Sequence, residues 1–162
     1  MTICQVSFTS REHAESLVAS PHVAVISITD PGTPEACLDP DFAALLRLSF
    51  YDAMPADEYL PAPLPGLFNH LMARQIDNFV HELHAQPDTV SLIVHCEYGV
   101  SRSAAVALFV ADYAGAPLVA REFSYDANRW VVHLLSRLHP ELPIEIPAER
   151  DVSERRALAR CD

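Results

Sequence analysis

Apolar residues fall in two rhythms along the chain. Residues 3–8, 22–28, 45–51 and 90–94 are short runs dense in apolar and β-branched side chains, the signal of buried strands. Between residues 66 and 84 the period changes: apolar residues recur at 68, 72, 76, 79, 80 and 83, while Asn69, Arg74, Asp77, Asn78 and His81 take the other face. That spacing predicts an amphipathic helix leading into the strand at 90–94. Residues 103–110 are apolar or small throughout and predict a buried helix, with Gly115 as its C-cap. Ser10 is placed to cap a short helix beginning at Arg11 and Glu12. Residues 118–124 predict another short helix, and Val131, Leu134, Leu135 and Leu138 mark a last one that Pro140 ends. Residues 30–34, Asp-Pro-Gly-Thr-Pro, read as a turn. Strands interleaved with helices indicate the α/β class: a single central sheet, mostly parallel, of about four to five strands, flanked by helices.

The chain is 162 residues long and 50% hydrophobic, which suits one folded domain with a substantial core and excludes a disordered polymer. Residues 1–140 are taken as that domain, and 141–162 as a C-terminal extension packed on it or trailing from it. A net charge of −11 makes nucleic acid and anionic membrane surfaces poor partners. The first residues lack the basic and long apolar regions of a secretory signal, and Asp112 interrupts the longest apolar run. Cys4, Cys37, Cys96 and Cys161 are scattered, without the pairing of a metal site or a disulfide framework. The expectation is a cytoplasmic protein with neither metal nor cofactor. His81 and His84 have helical spacing but no third ligand nearby, and read as solvated.

Chemistry concentrates in residues 95–103, His-Cys-Glu-Tyr-Gly-Val-Ser-Arg-Ser, on the turn from the strand at 90–94 to the buried helix. The first amides of such a helix point into the loop unpaired, and the macrodipole adds about half a positive charge there. A phosphoryl group fits that environment. The loop from Glu97 through Tyr98, Gly99, Val100 and Ser101 to Arg102 is long enough to wrap one tetrahedral anion, with Gly99 permitting close backbone approach. Arg102 can fold back to grip two phosphate oxygens bidentately, which an ammonium cannot. Cys96 lies at the floor, where the same groups that attract phosphate stabilise a thiolate nucleophile. A hydroxyl at Ser103 can hydrogen-bond the sulfur.

His-Cys-x5-Arg-Ser after an apolar strand resembles the signature loop of the cysteine-dependent protein tyrosine phosphatase superfamily. The Gly-Val-Ser-Arg-Ser ending is similar to its dual-specificity branch and to small bacterial members of it. The resemblance covers roughly residues 20–140 and implies the phosphatase fold, a phosphocysteine intermediate on Cys96, phosphoryl binding by Arg102, and an upstream aspartate as general acid. In such proteins a histidine at the position of His95 supports the loop. An asparagine where Asn128 stands braces it, although capping the last helix explains Asn128 equally well. A persulfide-forming rhodanese is the nearest chemical competitor, with a loop of different length and ending.

The resemblance places the acid after a strand and before the helix that precedes the catalytic strand. Asp52, where the 45–51 strand ends, is the first choice. The segment that follows carries prolines at 55, 61, 63 and 65 and reads as a long functional loop. Asp52 lies 44 positions before Cys96 and Asp57 lies 39 before it, the second being nearer the family's usual gap, so Asp57, with Glu58, is the alternative.

Glu97 and Tyr98 are expected on the rim of the cup, where they screen substrates. Relatives acting on phosphoinositides or RNA triphosphates carry extra basic residues in the loop, and Glu-Tyr-Gly-Val-Ser supplies none. The expectation is therefore a tyrosine or dual-specificity phosphatase acting on a phosphorylated protein or peptide, phosphotyrosine favoured. The alternatives are a catalytically weak phosphate-binding module and a phosphatase for a small molecule or lipid.

Overall fold

A computed structural model describes residues 2–55 and 65–149. Among these residues four strands form one sheet in the order β1 (Ile3–Ser10), β4 (Val90–Cys96), β2 (Val23–Thr29), β3 (Ala44–Ser49), and all pairings are parallel. The helices are α1 (Arg11–Ser16), α2 (His70–His84), α3 (Arg102–Ala114) and α4 (Arg129–Leu138), with a 3-10 turn at Arg121–Asp126. This is the α/β class with one helix-flanked parallel sheet. Among the described residues no helix is long and apolar enough to cross a membrane.

A parallel sheet must be covered on both faces, so its inner strands are apolar without alternation. In β2 every residue from Ala24 to Thr29 is buried, and β4 buries Val90, Leu92, Val94, His95 and Cys96. The covering helix α3 is itself buried from Arg102 to Ala111. Its small residues Ala104, Ala105, Ala107 and Ala111 let it lie close to β1 and β4 while it also packs on α4. The amphipathic α2 turns Ala73, Ile76, Val80 and Leu83 inward.

Local chemistry sets several boundaries. Ser10 accepts from His13 N and starts α1, and Gly115 closes α3 in the left-handed region at φ 63°. Helix α2 begins at His70, four residues later than its periodicity suggested, because the Asn69 side chain accepts from Met72 N and fixes the start there. The helix expected over residues 118–124 is displaced to the 3-10 turn. Val6 N donates to Pro117 O and Val119 N to Val6 O, so the open edge of β1 captures residues 117–119 in an isolated parallel bridge. Ala120 then reverses the chain at φ 56°.

Beyond α4, His139 is clasped between Asp77 Oδ1 (2.6 Å) and Glu141 Oε1 (2.9 Å), and Leu142, Ile144 and Ile146 pack against the core. The described part of the C-terminal stretch, through residue 149, thus lies on the fold.

Parallel direction brings all four strand ends to one edge. In register, Ser10 pairs with Cys96, Thr9 and Ser27 pair with His95, and Thr29 pairs with Ser49. Whatever follows β2, β3 and β4 therefore meets at that edge, where open α/β sheets bind ligands.

Candidate active site

The segment from Glu97 to Ser101 joins β4 to α3 along that edge. Gly99 has φ 72°, and a Cβ there would stand 2.4 Å from Thr9 C and 2.5 Å from Ser10 N. Both the backbone angle and the contact with the β1–α1 junction exclude a side chain. Arg11 N donates to Glu97 O at 3.2 Å, pinning the other side of the loop to the start of α1.

Cys96 ends β4 almost fully buried, and its thiol donates to Ser103 Oγ at 3.1 Å. Ser103, on the first turn of α3, is fully buried. Behind the cysteine, His95 is also fully buried. Its Nε2 lies 2.6 Å from Ser27 Oγ and its Nδ1 lies 3.3 Å from Cys96 O. Burial pushes the His95 pKa below its ordinary value, an effect that the hydrogen bond to Cys96 O only partly offsets. In its neutral form the ring has one N–H. A carbonyl can only accept, so Nδ1 carries the proton and Nε2 accepts from the Ser27 hydroxyl.

Arg102 opens α3 with 4% of its side chain exposed. Its Nη1 donates to Asp30 Oδ1 at 2.6 Å and to Phe50 O at 2.7 Å. These partners stand immediately after β2 and β3, so two neighbouring strand ends hold the guanidinium. Its Nε is buried and has no hydrogen-bond partner among the described residues. An unpaired buried donor on a charged group is costly, and an anion at this helix N-terminus would satisfy it.

Asp52 lies three residues beyond the end of β3, since Phe50 leaves the ladder after donating its amide to Thr29 O. The Asp52 Oδ1 atom accepts from Ser101 Oγ (2.7 Å) and from Asn128 Nδ2 (2.8 Å). Asn128 both caps the helix and braces the loop: its Oδ1 caps α4 by accepting from Val131 N, and its backbone N donates to Ser101 O at 3.1 Å. The structure therefore brings Asp52, Asn128 and the 97–101 loop together. Asp57 and Glu58 fall outside the described residues.

On the rim, Tyr98 is exposed and Glu97 is half-buried, with its carboxylate 3.8 Å from Arg11 Nη1. Arg11 also reaches Glu35 O at 3.0 Å. His81 and His84 are not simply solvated. His81 Nδ1 lies 2.8 Å from Tyr113 Oη, and His84 Nδ1 accepts from Ile3 N at 3.4 Å. Both stand near the amino-terminal edge of the sheet, away from the loop. Among the described residues no cluster of three or more metal-ligating side chains is present.

Sequence reasoning passed over Asp30, Ser27, Arg11 and the Phe50 carbonyl. Asp30 was visible only as a turn residue, and nothing local ties it to Arg102. The usable signal was topological: in a parallel sheet, residues just past neighbouring strands share one edge with the loop.

Comparison with protein-family models and with curated proteins found no match to this chain.

Proposed function

We propose that the protein is a phosphomonoester hydrolase of the tyrosine or dual-specificity type, working through a phosphocysteine intermediate. The observation that carries this reading is Arg102: a buried guanidinium whose Nε has no partner among the described residues, on the same turn as a cysteine whose sulfur already has a hydroxyl partner. The resemblance of residues 95–103 to the tyrosine phosphatase signature supports it independently.

The chemistry divides among these residues. The loop amides and Arg102 hold the phosphoryl oxygens, and the charge spread over them in the transition state is stabilised by donors already in place. Cys96 attacks phosphorus as its thiolate. A sulfur–phosphorus bond forms, the phosphorus–oxygen ester bond breaks, and Asp52 gives its proton to the departing oxygen. In the second step water attacks phosphorus while the Asp52 carboxylate takes a proton from it. The sulfur leaves as a thiolate, eased by a hydrogen bond from Ser103, and inorganic phosphate is released.

Phosphotyrosine on a protein or peptide is the favoured substrate, because Cys96 is only 3% exposed. A long aryl phosphate reaches a thiol at that depth, whereas serine holds its phosphate too close to the backbone. The test is phosphate release from a phosphotyrosine peptide, a phosphothreonine peptide and a soluble phosphoinositide, with competitive inhibition by orthovanadate. Turnover of the tyrosine peptide that Cys96→Ser abolishes supports the reading. Phosphate binding without turnover points to a binding module, and preference for the phosphoinositide to a lipid enzyme.

A further inference from the structure

From His139 to residue 149 the chain runs without helix or strand, with Leu142, Ile144 and Ile146 partly buried against the core and Pro143 and Glu145 exposed between them. We propose that this stretch is a strap fastened by a proton on His139: the doubly protonated ring clasps Asp77 and Glu141 together, and the neutral ring lets Glu141 go and loosens residues 141–146. The proposal does not depend on the phosphatase reading.

Proton counting sets the mechanism. His139 Nε2 lies 2.6 Å from Asp77 Oδ1, and its Nδ1 lies 2.9 Å from Glu141 Oε1. An ionised carboxylate only accepts, so both contacts are hydrogen bonds only while both ring nitrogens carry protons. A neutral imidazole has one N–H, and one carboxylate must then face a lone pair. Asp77 keeps the proton: it stands within α2, its side chain is 26% exposed and its contact is the shorter. The Glu141 side chain is 66% exposed and can turn to solvent.

The groups packed on the ring make the clasp respond to pH in one direction. Tyr113 and Phe109 of α3 stand beside it, with ring centroids 5.3 and 5.7 Å away. Burial and the Asp77 charge raise the Tyr113 pKa, so its hydroxyl stays neutral, and it meets His81 Nδ1 at 2.8 Å. The charged groups facing His139 are thus Asp77 from α2 and Glu141 from its own segment. Burial disfavours the charged ring, but the hydrogen bonds to these two carboxylates outweigh it and raise the pKa. The clasp is closed below that raised value and opens as the pH rises through it.

Little else fastens the strap. Among the described residues its backbone bonds run from Leu142 N to His139 O (2.9 Å) and from Ile144 N to Leu142 O (3.0 Å), so it can open without the rest of the fold. Leu142, Pro143 and Glu145 form one side of a cleft of about 480 Å³ against Ala111, Ala116 and Arg121. Opening the clasp reshapes that cleft.

The test is solution NMR on the full chain from about pH 5 to 9. It reads the titration of the His139 ring nitrogens together with solvent exchange of the Leu142 and Ile144 amides, corrected for the intrinsic rate. The rings of His81 and His84 are followed separately. A charge-assisted bond to an exposed carboxylate supports a fall in protection of about 3- to 10-fold, with the midpoint of His139 itself, while amides in α2 and α3 keep theirs. His139→Gln should abolish the step. Glu141→Gln should abolish it as well, although the ring still titrates, at a lower midpoint, because an amide N–H can donate to the bare Nδ1. Protection unchanged as His139 titrates, a step of wild-type size in Glu141→Gln, or a parallel loss in α2 and α3 overturns the proposal.

Discussion

Asn128 donates its side-chain amide to Asp52 at 2.8 Å while its own backbone N–H donates to the Ser101 carbonyl at 3.1 Å. One residue at the start of α4 thus ties the candidate acid to the loop that carries the candidate nucleophile. With Ser101 Oγ also bonded to Asp52, the carboxylate is docked on the loop before any substrate arrives.

That docking gives the acid a distinct signature. Asp52→Asn should lower kcat by about 10² to 10⁴ for an alkyl or peptide phosphate, and far less for a nitrophenyl ester whose leaving group departs unprotonated. Asn128→Ala should show the same leaving-group dependence more weakly, together with about 1 kcal/mol of lost stability from the missing helix cap. Leaving-group series and urea unfolding check both. Equal losses for all leaving groups would remove Asp52 from the role.

Gly99→Ala should spoil the anion cup without touching a polar side chain. The new methyl group would meet the backbone of Thr9 and Ser10 inside 3 Å, at a backbone angle alanine rarely adopts. The loop must shift, and the affinity for inorganic phosphate should fall at least as steeply as kcat/KM. Titration calorimetry with phosphate measures it, and wild-type binding would contradict the packing described.

Two histidines set opposite pH trends in stability. Burial keeps the folded-state pKa of His95 below its unfolded value of about 6.5. Above that value His95 contributes nothing. As the pH falls below it the unfolded chain takes the proton first, so stability declines by up to about 1.4 kcal/mol per pH unit until the folded pKa is reached. At His139, burial disfavours the charge, but the hydrogen bonds to Asp77 and Glu141 outweigh it and raise the pKa. Its contribution is complete below about pH 6.5 and is lost as the pH rises through the raised value. Urea unfolding from pH 5 to 9 should show His95→Gln flattening the limb below about pH 6.5 and His139→Gln flattening the limb above it. Unchanged limbs in these variants would contradict the assignments.

Much of this architecture was legible in one sequence because its signals are local. The apolar runs of β2 and β4, the capping serine at position 10, the C-terminal glycine of α3 and the cysteine-to-arginine spacing each lie within a few residues. The contacts that organise the candidate site are not local. Asp30 with Arg102, Phe50 O with Arg102 and Ser27 with His95 depend on the strand order β1-β4-β2-β3, which no window of residues encodes. The misplaced helix at 118–124 has the same cause, since only the open edge of β1 explains why residues 117–119 extend.

The central claim is that phosphorus passes through the sulfur of Cys96. The most direct measurement is the intact mass of Asp52→Asn protein quenched in denaturant at mildly alkaline pH during turnover of p-nitrophenyl phosphate, a substrate whose leaving group needs no acid, so that the intermediate forms but its hydrolysis is slowed. We expect a species heavier by one phosphoryl group, mapped to Cys96 by peptide sequencing and missing when Cys96→Ser is added. Turnover without any phosphorylated protein, or phosphate found on another residue, would contradict the account.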